Sequence, residues 1–390
     1  MTRLFLVAGE PSGDLLGGAL LAGLREIGGG LEVAGVGGPA MAAEGLASRF
    51  PMEELSVMGL AEVLPRLPNL MRRIRETGAA AAAMAPDALV TIDSPDFSLR
   101  VARRARRLRP DLRVIHYVAP SVWAWRPGRA RKMAEVVDHV LALLPFEPPY
   151  MEAAGMSCDF VGHPVAAEPQ ATAEEVAAIR AELGVAPGQR LLIVLPGSRR
   201  GEVERLGPVF AEVVRRLAAA DPGLAVVLPA AAPVVGLLAG VFPGVRVLDP
   251  RPWGKAEAEA RKRAVFAAAD VALAASGTVS LELAAAGTPM VIAYTANPLT
   301  GWIVMRMALI DTATLVNLVT DSRVVPEFFL GDCTPEKITP AVVRLFDDPE
   351  AAAVQRAAGA RTMELLGRGG EAPGLRAARS VLAAIAQRRV

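Results

Sequence analysis

Apolar runs of about five residues recur along the chain, each followed by a turn of small residues and a longer stretch whose apolar positions return at spacings of three and four. "RLFLVAGEPSGDLLGGALLAGLRE" (Arg3–Glu26) and "RLLIVLPGSRRGEVERLGPVFAEVVRRL" (Arg190–Leu217) follow this plan most openly. The runs are too short for helices and rich in β-branched residues, so they predict strands. The spaced stretches predict helices with one face on a core. Further strands are predicted at Val33–Val36, Ala88–Ile92, Arg113–Tyr117, His139–Leu143, Leu191–Leu195, Ala225–Leu228, Val245–Leu248, Val271–Ala274 and Met290–Ala293, mostly with helical stretches between them. This alternation implies an α/β fold of doubly wound parallel sheets covered on both faces.

Two stretches depart from the pattern. Val161–Glu175, with its prolines and small residues, is the best linker candidate. Leu283–Met305 carries no charge over a membrane-spanning length, but Gly287, Pro289, Asn297, Pro298 and Gly301 would repeatedly interrupt a helix. It reads as a helix end, a buried strand and a loop.

A chain of 390 residues exceeds one ordinary core and fits two Rossmann-like domains meeting at a cleft, at 1–165 and 166–365. The 42 basic and 41 acidic residues leave a net charge of +1, so nothing global steers the protein toward nucleic acid, and no nucleic-acid partner is expected. Cys158 and Cys333 have no CxxC spacing, and His116, His139 and His163 lie far apart, which points to a reducing cytoplasm and no structural zinc. The first apolar run meets Glu10 too soon for a signal-peptide core.

The candidate chemistry sits where strands end. Gly197, Ser198 and Arg199 follow a strand and precede a helix, offering amides, a hydroxyl and a guanidinium to a phosphate; a surface arginine after a turn fits equally well. Ser276, Gly277 and Thr278 repeat the idea, with Glu282 on the next helix able to pair with a sugar diol; a plain N-cap serine is the simpler role. "GEPSGD" (Gly9–Asp14) closes the first strand, its glycines permitting close backbone approach to a ligand. "GVGGPA" (Gly35–Ala40) lacks dinucleotide spacing and reads as a turn. Asp93 and Asp96 close the strand Ala88–Ile92, where a carboxylate could take a proton from an attacking hydroxyl; Asp96 suits a helix cap and Asp93 the proton transfer, though both could simply cap. A magnesium site on this pair is the weaker alternative, since the chain has no Asp-x-Asp. Trp123 and Trp125 stand among cations, fit to stack on Arg126 or a sugar, or to form a buried cluster; His116 reads as structural. Leu55–Glu76 combines apolar residues with Arg72, Arg73 and Arg75, fitting either a membrane interface or a core-facing helix.

Taken together, "AGEPSGD", "LSVMG", "IDSPDF", "HYVAPSVWAWR", "LPFE", "FVGHP", "LPGSRRGEVE", "ASGTVSLE", "NLV" and "VVPEF", in order from Ala8 to Phe328, resemble the lipid-A-disaccharide synthase family. The resemblance covers most of the chain, and Pro11 and Ala119 are small departures from its pattern. It implies a GT-B architecture whose last segment, 366–390, is helical and returns to the first domain. It implies inverting transfer of 2,3-diacylglucosamine from UDP-2,3-diacylglucosamine to the 6-hydroxyl of lipid X, 2,3-diacylglucosamine 1-phosphate, forming a β-1,6 disaccharide and UDP in lipid A biosynthesis. No metal and no cofactor enter this reaction as the resemblance gives it.

By motif, Asp93 is then the base; Glu10, Ser12 and Asp14 line the acceptor side; and Arg199, Gly197, Ser198, Ser276, Gly277, Thr278, Glu282, Asn317 and Glu327 surround the UDP-sugar. The acyl chains of both substrates favour the interface reading, with Leu60, Val63, Leu64, Leu67, Leu70 and Met71 touching the inner face of the cytoplasmic membrane as a peripheral protein. A homodimer is an open alternative. The rivals are a GT-B transferase or epimerase using a UDP-sugar with a soluble substrate, and a nucleotide-sugar-binding regulator without turnover.

Overall fold

The computed structural model describes residues 1–55, 60–297 and 306–387, and the side chains of 60–66 lie outside that description. The chain divides into two compact units, one of Met1–Ala167 with Leu366–Val390, the other of Glu168–Leu365.

The first unit is a six-stranded parallel sheet of β1 (Thr2–Ala8), β2 (Leu31–Val36), β3 (Ala88–Ile92), β4 (Val114–Tyr117), β5 (His139–Ala142) and β6 (Ser157–Phe160), in the order β2-β1-β3-β4-β5-β6. The second repeats the plan with β7 (Leu191–Leu195), β8 (Ala225–Pro229), β9 (Arg246–Leu248), β10 (Val271–Ala275), β11 (Met290–Tyr294) and β12 (Glu327–Phe329), in the order β12-β11-β10-β7-β8-β9. The doubly wound parallel sheets expected from the alternating pattern are therefore present in both units. Central strands β3, β4, β5, β7 and β10 are buried at every residue, which is why they read as mainly apolar runs, with Thr91, His116 and His139 as buried polar exceptions.

Helices cover both faces of the first sheet. One core holds Phe5, Val7, Leu89, Phe97 and Val101; the opposite one holds Leu4, Leu6, Leu20, Val90 and Ile92. The final helix, Pro373–Ala386, belongs to the second of these cores through Ala377, Ala378, Val381 and Ala384, packed on α1 (Pro11–Ile27). The crossing is close enough that a Cβ on Gly374 would stand 2.4 Å from the Ala19 carbonyl oxygen, so only glycine allows it.

Strand order fixes where ligands can bind. In open α/β sheets the crevice lies beyond the carboxyl ends of the strands where the winding reverses. That point is β1/β3 in the first unit and β7/β10 in the second. Register sets the ends level, with Ala8 opposite Ile92 and Leu195 opposite Ala274, so each pair of loops emerges side by side.

In the uncharged stretch, α11 (Val279–Ala286) ends on Gly287 in the left-handed conformation and β11 follows, buried except at Tyr294. The loop expected beyond it lies partly in 298–305, outside the described residues. Among the described residues no helix is long and apolar enough to cross a membrane.

Candidate active site

In the first unit the turn after β3 is made at a conformational cost. Asp93 has φ +53° and Ser94 φ +43°, two consecutive non-glycine residues in the left-handed region, which costs about 1–3 kcal/mol each. Surrounding bonds hold it: the Asp93 amide donates to Tyr117 O at 2.9 Å, and the Ser98 hydroxyl donates to Asp93 O at 2.8 Å. The Asp93 carboxylate accepts from the Ser94 amide at 2.8 Å and from the Ser12 hydroxyl at 3.0 Å. The Ser94 hydroxyl donates to Glu10 at 3.2 Å. Four of the expected residues and neighbours (Glu10, Ser12, Asp93, Ser94) thus meet at the β1/β3 switch point. A carboxylate offers about four acceptor positions, so Asp93 keeps capacity for one more hydroxyl.

Gly9 makes this meeting possible, since a Cβ there would lie 2.9 Å from the Ser94 hydroxyl. Gly13 sits 3.1 Å, by the same construction, from Ile92 O. Both glycines admit the chain's own turn rather than the ligand backbone approach that "GEPSGD" suggested.

Asp14 requires a correction. It is buried, and its carboxylate accepts the amides of Gly38, Ala40 and Met41 at 2.8, 2.8 and 3.0 Å, filling the start of the short helix α2 (Pro39–Ala43). This geometry gives it to the "GVGGPA" turn, whose open amides would otherwise hold an anion. Asp96 is also corrected: α4 (Pro95–Leu108) begins with Ser94 at its N-cap, so Asp96 is an exposed first-turn acid favoured by the helix dipole and does not cap.

Beneath the turn, His116 is buried and bonded through Nδ1 to the Thr91 hydroxyl at 2.8 Å. Burial pushes its pKa down to about 4, with the Asp93 charge pulling the other way, so it is neutral at pH 7. The two tryptophans divide. Trp123 is buried edge-on to Phe146 and donates to Glu147 at 3.3 Å, whereas Trp125 carries the Arg126 guanidinium 4.3 Å above its ring. Glu147, unremarked in the sequence beyond its motif, also accepts the amides of Leu143 and Leu144, and burial raises its pKa to about 7.

In the second unit a cavity of about 850 Å³ opens at the β7/β10 switch point. Gly197, Ser198, Arg199, Ser276, Gly277, Thr278 and Glu282 all line it. The first turn is not an open anion cradle. α8 (Arg200–Ala220) places Glu202 so that its carboxylate accepts the Ser198 and Arg199 amides at 3.0 and 3.3 Å and the Arg199 guanidinium at 3.2 Å. Gly197 takes φ +127°, and a Cβ there would strike Glu202 at 2.5 Å. What this turn offers a ligand is therefore the exposed Arg199 fork, which has five N–H donors, rather than its amides.

The second turn differs. Thr278 is the N-cap of α11, no side chain caps the helix, and Ser276, expected as a plausible cap, lies outside the capping position. Glu282 is turned aside by Lys262 of α10 (Lys255–Ala268), 2.9 Å away, which also bonds Glu259 at 2.7 Å. Burial alone would lower the Lys262 pKa, but the two carboxylates outweigh it and raise it.

Asn317 and Glu327 are not among the residues that line this cavity, and their described partners lie within the unit. Glu327 of β12 accepts the Thr312 and Thr314 hydroxyls, the Ala313 and Thr314 amides and the Asn317 amide, closing the start of the helix Leu315–Thr320. Asn317 is fully buried and exchanges bonds with both the amide and carbonyl of Val325. Their polar capacity is spent inside the unit.

Of the expected membrane row, Leu67 and Met71 on α3 (Leu60–Met84) are 40% and 39% exposed, while Leu70 packs on the core beneath. The side chains of Leu60, Val63 and Leu64 lie outside the described residues. Among the described residues no group of three or more His, Cys, Asp or Glu side chains is placed to hold a metal ion.

A family model described as lipid-A-disaccharide synthetase matches residues 4–374. A lipid-A-disaccharide synthase of Ruegeria pomeroyi is 61% identical, covering 98% of this chain and 95% of its own, and one of Rhodospirillum centenum is 49% identical, covering 99% and 95%. Among solved structures, UDP-GlcNAc 2-epimerase from Neisseria meningitidis bound to UDP-GlcNAc superposes with a TM-score of 0.65 at 12% identity, covering 99% of this chain and 100% of that one. The glycotransferase of kitacinnamycin superposes at 0.60 and 18% identity, covering 98% of each. These two likenesses are of fold.

Proposed function

The chain belongs to the lipid-A-disaccharide synthetase family and is a glycosyltransferase, and from that premise we propose that it moves 2,3-diacylglucosamine from UDP to the 6-hydroxyl of lipid X. Asp93 takes the proton of that hydroxyl as its oxygen attacks the anomeric carbon. The bond from that carbon to the diphosphate breaks on the opposite side, UDP leaves, and a β-1,6 linkage forms with inversion. The observation that carries the reading is the Asp93 carboxylate, held on a strained left-handed turn by Ser12 and Ser94 at a switch point, where preorganisation of a base offsets its conformational cost. Glu10 and Ser12 border the acceptor.

The donor belongs to the second unit. Its diphosphate is matched by the Arg199 fork and by the amides and hydroxyl of the uncapped Gly277–Thr278 turn, which supply the positive potential a departing UDP requires. Glu282 suits the ribose diol.

The acyl chains call for substrates drawn from a bilayer, and an exposed stretch of the first unit supports docking there. Leu67 and Met71 are exposed; Arg75 and Arg100 reach Met71, Arg104 lies against Gly78 of the same helix, and none of the three has an acidic partner among the described residues. Apolar anchors among cations fit the inner face of the cytoplasmic membrane, with the protein peripheral to it.

The test is a mass-spectrometric product assay in detergent micelles with UDP-2,3-diacylglucosamine and lipid X. The expected products are the tetra-acyl disaccharide 1-phosphate and UDP, with Asp93→Asn slower by about 10²–10⁴-fold and UDP binding intact. Absence of product from wild type overturns the reaction; near-normal turnover of Asp93→Asn overturns the base.

A further inference from the structure

We propose that Lys262 is a positioning residue for the nucleoside half of the donor, which deepens the UDP reading above and rests on it. Lys262 lines the cavity of the second unit together with both of its partners, Glu259 and Glu282. Its ammonium stands between the two carboxylates, 2.7 Å from Glu259 and 2.9 Å from Glu282, and on Glu282 it meets the oxygen Oε2. In this proposal the other oxygen, Oε1, accepts from the ligand. A carboxylate held in this way, with one oxygen tied and one presented, is a receptor for the vicinal hydroxyls of a ribose, because both hydroxyls can donate to it.

The pairing does two further things. Glu282 is the fourth residue of α11, close enough to the helix start that its charge would compete with an anion for the Gly277–Thr278 turn. Tied to α10, it leaves that turn for the ligand. Lys262 also offsets one of two negative charges that would otherwise face an incoming diphosphate across a partly desolvated cavity, where such repulsion is poorly screened. Glu259 completes the arrangement by holding the ammonium from the other side, so that it does not swing into the cavity and take the phosphates itself.

Isothermal titration with UDP and with 2′-deoxy-UDP reads the claim directly. Wild type is expected to prefer UDP by about tenfold, the worth of a hydrogen bond to a charged group, and both Glu282→Gln and Lys262→Met should lose most of that preference. Lys262→Arg should retain it. In turnover, Lys262→Met should raise the donor KM about tenfold with kcat within twofold of wild type, since the effect is on ground-state placement. Circular dichroism and melting temperature establish that each variant is folded. A Lys262→Met protein that keeps the wild-type ratio of UDP to 2′-deoxy-UDP overturns the proposal. Wild-type binding of UDP with no discrimination against the deoxy analogue overturns it as well, while leaving the donor reading standing. Failure of wild type to bind UDP removes the donor reading and this inference with it.

Discussion

Asp14 offers the sharpest separation between a role implied by family resemblance and one required by geometry. Its carboxylate receives three amides, at 2.8, 2.8 and 3.0 Å, from residues 24 to 27 positions away. Replacement by alanine leaves those donors without an acceptor. The Met41 amide is wholly enclosed, so it bears the full desolvation cost of about 2 kcal/mol, and the half-buried Gly38 and Ala40 amides, which water can partly serve, about 1 kcal/mol each. Asp14→Ala should therefore destabilise the first unit by roughly 3–5 kcal/mol. Asp14→Asn keeps one carbonyl oxygen that can still serve two amides, and should cost less than half as much.

Two measurements check this. In urea, with a slope of about 2 kcal/mol per molar, the alanine variant's unfolding midpoint for the first unit should fall by roughly 2 M. Native-state hydrogen exchange should show the amides of Gly38, Ala40 and Met41 exchanging about 10²–10³-fold faster, since each 1.4 kcal/mol is a factor of ten. Gly38→Ala should move in the same direction, because its Cβ would lie 2.8 Å from the Asp14 carboxylate. Unchanged exchange and an unchanged midpoint, with a raised KM for lipid X, would refute the reasoning and return Asp14 to the acceptor.

Two further outcomes follow from other parts of the first unit. Glu147 has a folded pKa raised by burial from 4.5 to about 7, so the stability it contributes is full below pH 4.5 and is lost as pH rises through 7; relative to wild type, Glu147→Gln should gain up to about 3 kcal/mol between those limits. Unfolding midpoints of both proteins from pH 4.5 to 8 check it, and a constant difference would contradict it. His116 and His163, both pushed down to about 4 by burial, act oppositely: their contribution is present above pH 6.5 and lost as pH falls through 4, in both proteins alike. On α3, replacing Leu67 and Met71 together with aspartate should reduce flotation with anionic vesicles by tenfold or more, and charge reversal at Arg75, Arg100 and Arg104 should make the remainder insensitive to salt. Unchanged flotation would assign binding to another surface.

The parts of the fold that were legible in the sequence are those in which a single local cause decides the structure. β3, β7 and β10 are buried on both faces, so their residues had to be apolar except at Thr91, whose hydroxyl is hydrogen-bonded, and their predicted bounds hold to within a residue. β6 and β12 carried no such signal. β6 alternates exposure along Ser157–Phe160, and β12 is three half-buried residues, each pairing on one side only at the edge of its sheet. The switch points were not legible either, because strand order depends on contacts between distant segments, although the loops that line them were. The same division explains the site residues that moved. A glycine turn before a helix signals open amides, and the sequence shows that much at Gly197 and at Gly277, whereas at Gly38 it shows a turn and not the helix after it. Whether a ligand or the chain answers those amides depends on where an acid can reach. Glu202 is three residues beyond Arg199, so its return to the Ser198 and Arg199 amides follows a readable capping pattern. Asp14 and Glu327 reach their helix starts from 24 and 13 residues away, through tertiary structure that no local window contains. At Gly277 the nearest acid is Glu282, and a lysine from another helix draws it off, so this turn alone of the three keeps its amides for a ligand. An anion site in such a fold is therefore specified as much by the acids kept away from a helix start as by the glycines that open it.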